Sequence, residues 1–204
     1  GRTNLTLIGT DALAAKSRLA PELADAVRAA SGRTGGRCLL VANLPYQIAS
    51  PLLLDLLLSD LGVRRFCFTV QKEVADRIAS PPGRKSYSPL SIVIQAVCDV
   101  THVADLPASV FWPRPKIAST MLRLDFSEAK AARIADRPHF VHVVRTCFLH
   151  RRKQLAHAVA YLFGRKKLDT VEAFGGMDLT RRPEALSVEE WIALAERVPR
   201  ESPA

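Results

Sequence analysis

Four consecutive residues, Asn43-Leu44-Pro45-Tyr46, combine groups that can hold a flat base carrying an exocyclic amine. The side-chain oxygen of Asn43 can accept a hydrogen bond from an amine N–H. Pro45 stiffens the turn, so that the Leu44 carbonyl can point outward as a second acceptor. The ring of Tyr46 offers a face for stacking. A plain strand-to-helix turn with a packed tyrosine is the alternative, and these four residues alone do not decide between the two.

The neighbouring segments predict that these residues follow directly after a strand. The apolar run from Cys38 to Val41 predicts a buried strand. Ser50 as N-cap and Pro51 at the first helical position predict that a leucine-rich helix begins shortly afterwards. Ligands of open α/β sheets bind at the carboxyl ends of strands. We therefore expect the Asn43 loop at a ligand-binding edge of a sheet.

Strands and helices alternate through the first part of the chain. Strands are predicted at residues 4–8, 38–42, 63–70, 100–106 and 121–126. Helices are predicted at residues 19–30, 51–61, 71–80 and 89–97. The last of these is too short for periodicity to separate helix from strand, and Ser88 before it favours a helix. This alternation predicts an α/β fold with a largely parallel sheet and helices on both faces.

Beyond Phe126 the sequence becomes helical. Residues 127–137 are polar and charged, which is typical of a linker. Helices are then predicted at 138–149 and 151–163, and the basic residues 165–167 precede another short helix. Ser187 and Glu190 have capping-box spacing, which predicts the start of the last helix. The predicted domains are residues 1–127 and 128–204.

Ordered motifs over nearly the whole chain resemble those of the ribosomal RNA adenine N6-dimethyltransferases, the KsgA type that acts on small-subunit RNA. Several motifs in one order distinguish a family better than a single motif does. The matching segments are Asn43-Leu44-Pro45-Tyr46-Gln47-Ile48-Ala49-Ser50-Pro51-Leu52, Gln71-Lys72-Glu73-Val74-Ala75, Tyr87-Ser88-Pro89-Leu90-Ser91, Phe111-Trp112-Pro113-Arg114-Pro115-Lys116-Ile117-Ala118-Ser119 and Arg151-Arg152-Lys153.

The resemblance implies a fold and a reaction. The fold is a Rossmann-like class I methyltransferase sheet, incomplete here because its first strands are missing, with a small C-terminal all-helical domain for RNA docking. The reaction is the S-adenosyl-L-methionine-dependent N6-dimethylation of adenines in small-subunit (16S) ribosomal RNA. The acceptors on the amine favour its change toward tetrahedral geometry, and the target base must be flipped or unpaired to reach them.

The resemblance also assigns the site residues. The residues implied to be catalytic are Asn43, Leu44, Pro45, Tyr46 and Phe111. The residues implied to bind the methyl donor are Asp11, Ala12 and Asn43. Apart from the family, Asp11 is equally well interpreted as a helix-capping turn residue, and Phe111 with Trp112 as a cover over the sheet edge.

A formal net charge of +9 favours a polyanionic partner and does nothing to attract a cationic methyl donor. The expected partner is ribosomal RNA in the small ribosomal subunit. Solvated basic loops, or a generally basic proteome, are the alternatives. The residues expected to contact RNA are Arg84, Lys85, Arg114, Lys116, Arg151, Arg152 and Lys153.

Other sites and compartments are not favoured. No apolar run reaches membrane-spanning length, and the N-terminus lacks the apolar core of a signal peptide, so we expect a monomeric cytoplasmic protein. The cysteines, which are Cys38, Cys67, Cys98 and Cys147, lack zinc spacing and are expected to be reduced core thiols. His139 and His142 have no third ligand nearby in sequence, so no metal is expected.

The sequence departs from the family pattern at three places. The glycine-rich donor loop and the ribose-binding acidic residue would precede Gly1, so we expect an N-terminally truncated chain that binds RNA and little methyl donor. Ser88 stands where the family usually has glycine. His157 stands four residues after the Arg-Arg-Lys trio, where asparagine is frequent.

Three other functions remain in view. The resistance-type large-subunit RNA methyltransferases share the Asn-x-Pro-Tyr and Pro-x-Pro segments, but residues 71–75 and 90–91 favour the small-subunit type. DNA adenine methylases usually carry proline at the position of Leu44. A non-catalytic RNA-binding or ribosome-assembly module would keep the base-binding loop without the donor site.

Overall fold

The computed structural model describes residues 4–15, 18–45, 47–59, 61–163, 174 and 176–200. These residues form a two-stranded ribbon, a four-stranded sheet and several helices. The strands are β1 (Leu13–Ala15), β2 (Arg18–Leu19), β3 (Cys38–Asn43), β4 (Val63–Gln71), β5 (Cys98–Leu106) and β6 (Ser119–Phe126). The α-helices are α1 (Pro21–Arg33), α2 (Ala49–Leu58), α3 (Lys72–Ile78), α4 (Pro89–Val97), α5 (Glu128–Ala131), α6 (Arg137–Leu149), α7 (Leu155–Phe163) and α8 (Val188–Arg197). None of the helices in this described part of the chain is long and apolar enough to cross a membrane.

The four-stranded sheet is mixed, with the strand order β3-β4-β6-β5. β3 runs parallel to β4, whereas β6 runs antiparallel to β4. The prediction of a largely parallel sheet is therefore wrong for β6. β6 follows β5 after a loop, residues 107–118, that carries a 3-10 turn at Ala108–Val110 and no crossover helix.

β3 is an outer strand of this sheet, and its side chains alternate between half-buried and exposed. Leu39 and Val41 are 64% and 80% exposed, while Leu40 and Ala42 on the other face are half-buried. The prediction of a fully buried strand is wrong, because an apolar run does not reveal whether both faces of a strand are covered.

Residues 4–8, predicted to form a strand, have no regular strand structure. An alternating pattern needs a partner strand to hydrogen-bond with, and no described strand pairs with this segment. The basic residues 165–167 and the short helix predicted after them lie outside the described residues.

α2 and α7 begin at other residues than their predicted starts. α2 begins at Ala49 behind Ile48, ahead of the predicted Ser50 cap, because the Pro45 carbonyl accepts hydrogen bonds from the amides of both Ile48 and Ala49 at 3.1 Å. α7 begins at Leu155 instead of residue 151. The chain between α6 and α7 is therefore a turn.

The predicted capping residues of two other helices are confirmed. α4 follows Ser88, which settles the open choice between helix and strand at residues 89–97. α8 follows Ser187, whose hydroxyl accepts a hydrogen bond from the Glu190 amide at 3.2 Å. The Glu190 carboxylate accepts one in return from the Ser187 amide at 2.7 Å.

The chain divides into two compact units. The first comprises residues 1–74 and 101–126, and the second comprises residues 75–100 and 127–204. In the second unit α4 packs against α6 and α8, around the buried side chains of Tyr87 and Trp191. The division at residues 127 and 128 made from the sequence stays a prediction.

The cysteines carry free thiols. Cys98 and Cys147 are buried, as predicted, whereas Cys38 and Cys67 are only half-buried. Burial raises the pKa of the Cys147 thiol to about 12, so this side chain stays protonated at neutral pH.

Candidate functional site

The loop after β3 is anchored by the neighbouring strand. Asn43 is the last residue of β3 and lies opposite Thr69 in the parallel register with β4. The Leu44 amide donates a hydrogen bond to the Thr69 carbonyl at 3.2 Å, and the Leu44 side chain is 4% exposed. Leu44 is therefore fixed on both sides, by its backbone and by its packed side chain.

The backbone carbonyls of Leu44 and Pro45 differ in their hydrogen bonds. The Pro45 carbonyl accepts hydrogen bonds from the amides of Ile48 and Ala49 at the start of α2. The Leu44 carbonyl accepts no hydrogen bond from any residue that the structure describes. None of the described residues therefore competes for this carbonyl, and its role as a second acceptor stays a prediction.

The side-chain oxygen of Asn43 accepts a hydrogen bond from the Thr69 hydroxyl. An amide oxygen has two lone pairs, so one position for a further donor remains. This contact holds the amide of Asn43, which is otherwise exposed, in one orientation. Sequence reasoning missed Thr69, because only the register of two parallel strands brings residues 43 and 69 together.

A cavity of about 310 Å³ opens at this loop. Its walls come from the end of β3 and from the proline-braced loop before β6, and its lining residues are Asn43, Leu44, Pro45, Phe111, Trp112, Pro113 and Pro115. Four of the five residues expected to be catalytic thus meet at one cavity. The fifth, Tyr46, lies outside the described residues.

The antiparallel direction of β6 explains why these distant segments meet. Gln71, at the end of β4, lies opposite Ser119, at the start of β6. The Lys72 amide donates to the Ala118 carbonyl at 3.0 Å. Three of the ordered sequence motifs are therefore joined at one edge of the sheet, which is the edge where β3 and β4 end.

The two aromatic residues of the loop differ in exposure. Phe111 is half-buried and follows the 3-10 turn, with its amide 3.4 Å from the Ala108 carbonyl. Trp112 is 95% exposed. The interpretation that both rings cover the sheet edge is wrong for Trp112.

Asp105, near these motifs, is committed to the sheet. Its carboxylate accepts hydrogen bonds from the Thr120 hydroxyl at 2.7 Å and from His102 at 3.1 Å, with the Lys72 ammonium at 4.0 Å. The Thr120 hydrogen bond, followed by that of His102, holds the pKa of Asp105 below its usual value. The Asp105 carboxylate therefore has its partners within the sheet and on Lys72, and it does not line the cavity.

The family model described as ribosomal RNA adenine dimethylase matches residues 1–199 of the chain. The chain belongs to this family. The resemblance drawn from the ordered motifs is thereby confirmed.

Curated relatives of this family show the same kinship. The ribosomal RNA small subunit methyltransferases A of Bacillus mycoides (strain KBAB4), Bacillus cereus (strain B4264) and Bacillus anthracis (strain A0248) are each 39% identical over 166 residues. These residues are 79% of this chain and 57% of each relative. The chain thus spans little more than half the length of these dimethylase relatives.

Two solved structures show the fold. A dimethyladenosine transferase from Plasmodium falciparum has a TM-score of 0.67 and 24% identity, covering 77% of this chain and 65% of that one. The 23S rRNA methyltransferase ErmE has a TM-score of 0.55 and 17% identity, covering 88% of this chain and 79% of that one. The predicted Rossmann-like α/β fold of the dimethylase family is confirmed.

Of the three residues expected to bind the methyl donor, only Asn43 lines the cavity. Asp11 is exposed, and Ala12 is half-buried with its carbonyl accepting from the Ala20 amide at 3.0 Å. Neither lines the cavity at Asn43. Among the described residues of the lining there is no carboxylate for ribose hydroxyls, so these residues can hold a flat base and supply no ribose contact.

All seven residues expected to contact RNA are exposed. None of them has an acidic partner among the residues that the structure describes. They are Arg84, Lys85, Arg114, Lys116, Arg151, Arg152 and Lys153. Their charges are therefore free to meet phosphates.

Three of these cations lie in the turn between α6 and α7. The first amides of α7 are already bonded, because Leu155 donates to the Arg181 carbonyl at 2.8 Å and Ala156 to the Leu179 carbonyl at 2.9 Å. The turn can therefore contact a phosphate through its side chains and not through the start of the helix. His157 packs edge-on against His150, with ring centroids 5.3 Å apart.

The dimethylase-like segment at residues 87–91 has a structural role here. Tyr87 is buried, and its burial, helped by Glu189 and Glu190, raises its pKa above the usual value. Ser88 and Ser91 form the capping box of α4, and the Ser91 hydroxyl donates to the Arg77 carbonyl at 2.5 Å. Serine in place of the family's usual glycine at 88 therefore serves as a helix cap.

Proposed function

We propose that this chain is the adenine-binding and RNA-docking part of a methyltransferase that dimethylates adenine N6 in small-subunit (16S) ribosomal RNA. The methyl donor is S-adenosyl-L-methionine, and the protein acts in the cytoplasm as a monomer. The observation that carries the proposal is the cavity at the end of β3 in a member of the dimethylase family. There a fixed amide oxygen and an available carbonyl lie side by side in sequence.

The reaction requires a change at the adenine amine. Its lone pair is delocalised into the ring, and the nitrogen must become more tetrahedral before it attacks a methyl group. Asn43 and the Leu44 carbonyl accept hydrogen bonds from the two amine protons in the geometry that favours this change. They bind the transition state better than the flat ground state, which accelerates the reaction.

The target base must leave its helix or loop to enter the cavity. Phe111, half-buried in the wall, offers it an apolar ring face, and Pro45 and Pro113 keep the walls rigid. We assign stacking on the other face to Tyr46. Rigid walls hold the base near the attack distance, which contributes to the rate independently of any charged group.

RNA docking depends on the exposed cations. The seven side chains described above contact the phosphate backbone and position the RNA without reading its sequence. Each neutralised phosphate releases counterions, so the affinity falls steeply with salt. For the chain as given we expect such RNA binding together with weak donor binding, in which Asp11 and Ala12 contact only the adenine end of the donor.

The enzymatic role is tested by replacing the amine acceptor. The protein carrying this sequence is incubated with S-adenosyl-L-methionine and small ribosomal subunits that lack N6-methylated adenine. Asn43→Ala should lower the rate of methyl transfer by about 100-fold or more, as the loss of one preorganised hydrogen-bonding group does elsewhere. Asn4→Ala, which removes an exposed asparagine away from the cavity, is the matched control. An unchanged rate for Asn43→Ala would remove the assignment of Asn43.

A second candidate is a non-catalytic RNA-binding module. The observations in its favour are that the described residues of the cavity lining include no carboxylate and that the given sequence contains no G-x-G-x-x-G segment. Methyl transfer to small ribosomal subunits by the protein carrying this sequence separates the candidates. Transfer that is lost in Asn43→Ala excludes the module, whereas RNA binding without any transfer supports it.

A further inference from the structure

Trp112 is the largest side chain of the cavity wall, and its exposure is unusual. It is 95% exposed, whereas the other tryptophan of the chain, Trp191, is fully buried. Tryptophan is a highly buried residue on average, and an exposed indole beside a cavity offers a bound molecule a large aromatic face.

The position of Trp112 is well defined. It follows Phe111 and the 3-10 turn, and it precedes Pro113 and Pro115, whose rings restrict the backbone. The indole is open to solvent, and Trp112 is one of the residues that line the cavity. A nucleotide next to a base in this cavity would therefore lie beside the indole.

The charges that follow Trp112 fit a nucleic acid strand. Arg114 and Lys116 are exposed, and neither has an acidic partner within the described residues. Cations beside an exposed aromatic ring are the combination by which proteins hold unpaired strands, with the ring on a base and the cations on the backbone. A second protein chain that covers Trp112 with an apolar patch would place no opposite charge near Arg114 and Lys116.

We propose that Trp112 stacks on an unpaired RNA base that flanks the target adenine, while Arg114 and Lys116 contact the adjoining phosphates. This inference rests on the proposed function, because it takes the cavity as the site of the target base. Stacking on an indole tolerates any base, so the contact positions the strand at the cavity without selecting its sequence.

The fluorescence of the chain gives a direct test, because its two tryptophans differ so strongly in exposure. A short single-stranded RNA with one central adenine is added to the 204-residue chain. The emission of Trp112 should be quenched on binding. In Trp112→Phe only the buried Trp191 remains to emit, and its emission should not change.

Binding measurements identify the stacked base. Trp112→Ala should lower the affinity for the RNA about tenfold, because stacking of one base on an aromatic ring contributes about that much. Trp112→Phe should lower it less. An abasic nucleotide beside the adenine should lower the affinity of the wild-type chain for the RNA to the same extent. It should leave the affinity of Trp112→Ala unchanged. Full affinity for Trp112→Ala, or an abasic effect that persists in it, overturns the proposal. So does quenching that depends on protein concentration without RNA, which would indicate a second copy of the chain on Trp112.

Failure of this inference is distinguishable from failure of the proposed function. An abasic nucleotide in place of the adenine itself, compared in the wild-type chain and in Asn43→Ala, tests the cavity alone. The stacking proposal alone fails if Asn43→Ala removes the effect of the abasic nucleotide at the adenine while Trp112→Ala leaves the effect of the neighbouring abasic nucleotide unchanged. The assignment of the cavity fails if only Trp112→Ala removes the effect of its abasic nucleotide. Trp112 then binds RNA in another register.

Discussion

At the scale of single residues, the site depends on how an amide is held. The Asn43 side chain is exposed, and an exposed asparagine samples several orientations unless a partner fixes it. The Thr69 hydroxyl is that partner. Thr69 thus acts through Asn43, as a positioning residue, without touching the substrate.

Thr69→Val removes the hydroxyl while keeping the shape of the side chain. We expect methyl transfer to fall about threefold to tenfold, the equivalent of one ordinary hydrogen bond, with the loss in kcat and little change in KM. Thr69→Ser keeps the hydroxyl and should restore the rate. Steady-state kinetics of the three proteins provide the measurement, and a loss confined to KM would contradict the role.

At the scale of elements, α8 illustrates how one carboxylate holds a helix start. Glu190 accepts hydrogen bonds from the Ser187 amide and from Arg181. The hydrogen bond from Arg181 is the main reason why the pKa of Glu190 lies below its usual value. The ionised form is therefore favoured in the folded chain, which ties the stability of the helix to pH.

Glu190→Gln should lower the free energy of unfolding by about 1 kcal/mol at neutral pH, as the loss of a charged capping partner does. The folded pKa is depressed, so the stabilisation is complete above the unfolded value of about 4.3 and is lost as pH falls through the folded value. The difference from wild type should thus be constant at neutral pH and vanish in acid. Urea unfolding at several pH values measures it.

Glu196→Gln is the matched control for this experiment. Glu196 is an exposed residue of the same helix without a partner among the described residues, and its change should shift stability by less than about 0.5 kcal/mol. A Glu190→Gln difference that persists unchanged in acid would rule out the charge as its cause.

The turn between α6 and α7 carries a prediction about RNA. Arg152→Ala should weaken RNA binding uniformly across sequences and reduce the slope of log affinity against log salt by about 1, because one phosphate contact is lost. Arg28→Ala removes an exposed arginine that already pairs with Asp25 at 2.5 Å, and it should leave the slope unchanged. Filter binding over a salt series is the measurement. Equal slopes for wild type and Arg152→Ala would exclude the phosphate contact.

At the scale of the whole molecule, the sheet has one face of β3 open to solvent. Val41 lies on this face at 80% exposure, whereas Leu124 on β6 is fully buried. The same kind of apolar strand residue should therefore differ greatly in its contribution to stability.

Val41→Thr should change the free energy of unfolding of this chain by less than about 0.5 kcal/mol, since the side chain is already exposed. Leu124→Ala should cost about 2–5 kcal/mol through lost burial and a cavity. Chemical denaturation of both variants tests the contrast. A loss at Val41 as large as that at Leu124 would mean that this face of β3 is covered in solution.

The sequence determined the features that depend on neighbours along the chain. The helix start at Ser187 was predictable because a cap and its partner lie three residues apart, and Ser88 favoured a helix at residues 89–97. The family was predictable because its motifs occur in one order. The two acceptors at residues 43 and 44 follow from residue type and stay a prediction. Each of these inferences needs only local spacing or residue type.

The tertiary structure alone decided which distant residues meet and which surfaces stay open. The antiparallel direction of β6 brings Phe111 and Trp112 to the Asn43 loop, and the register of β3 with β4 supplies Thr69. The exposure of Val41 on an apolar strand also depends on what packs there. Strand direction, register and coverage arise from contacts between residues far apart in sequence, and no local pattern encodes them.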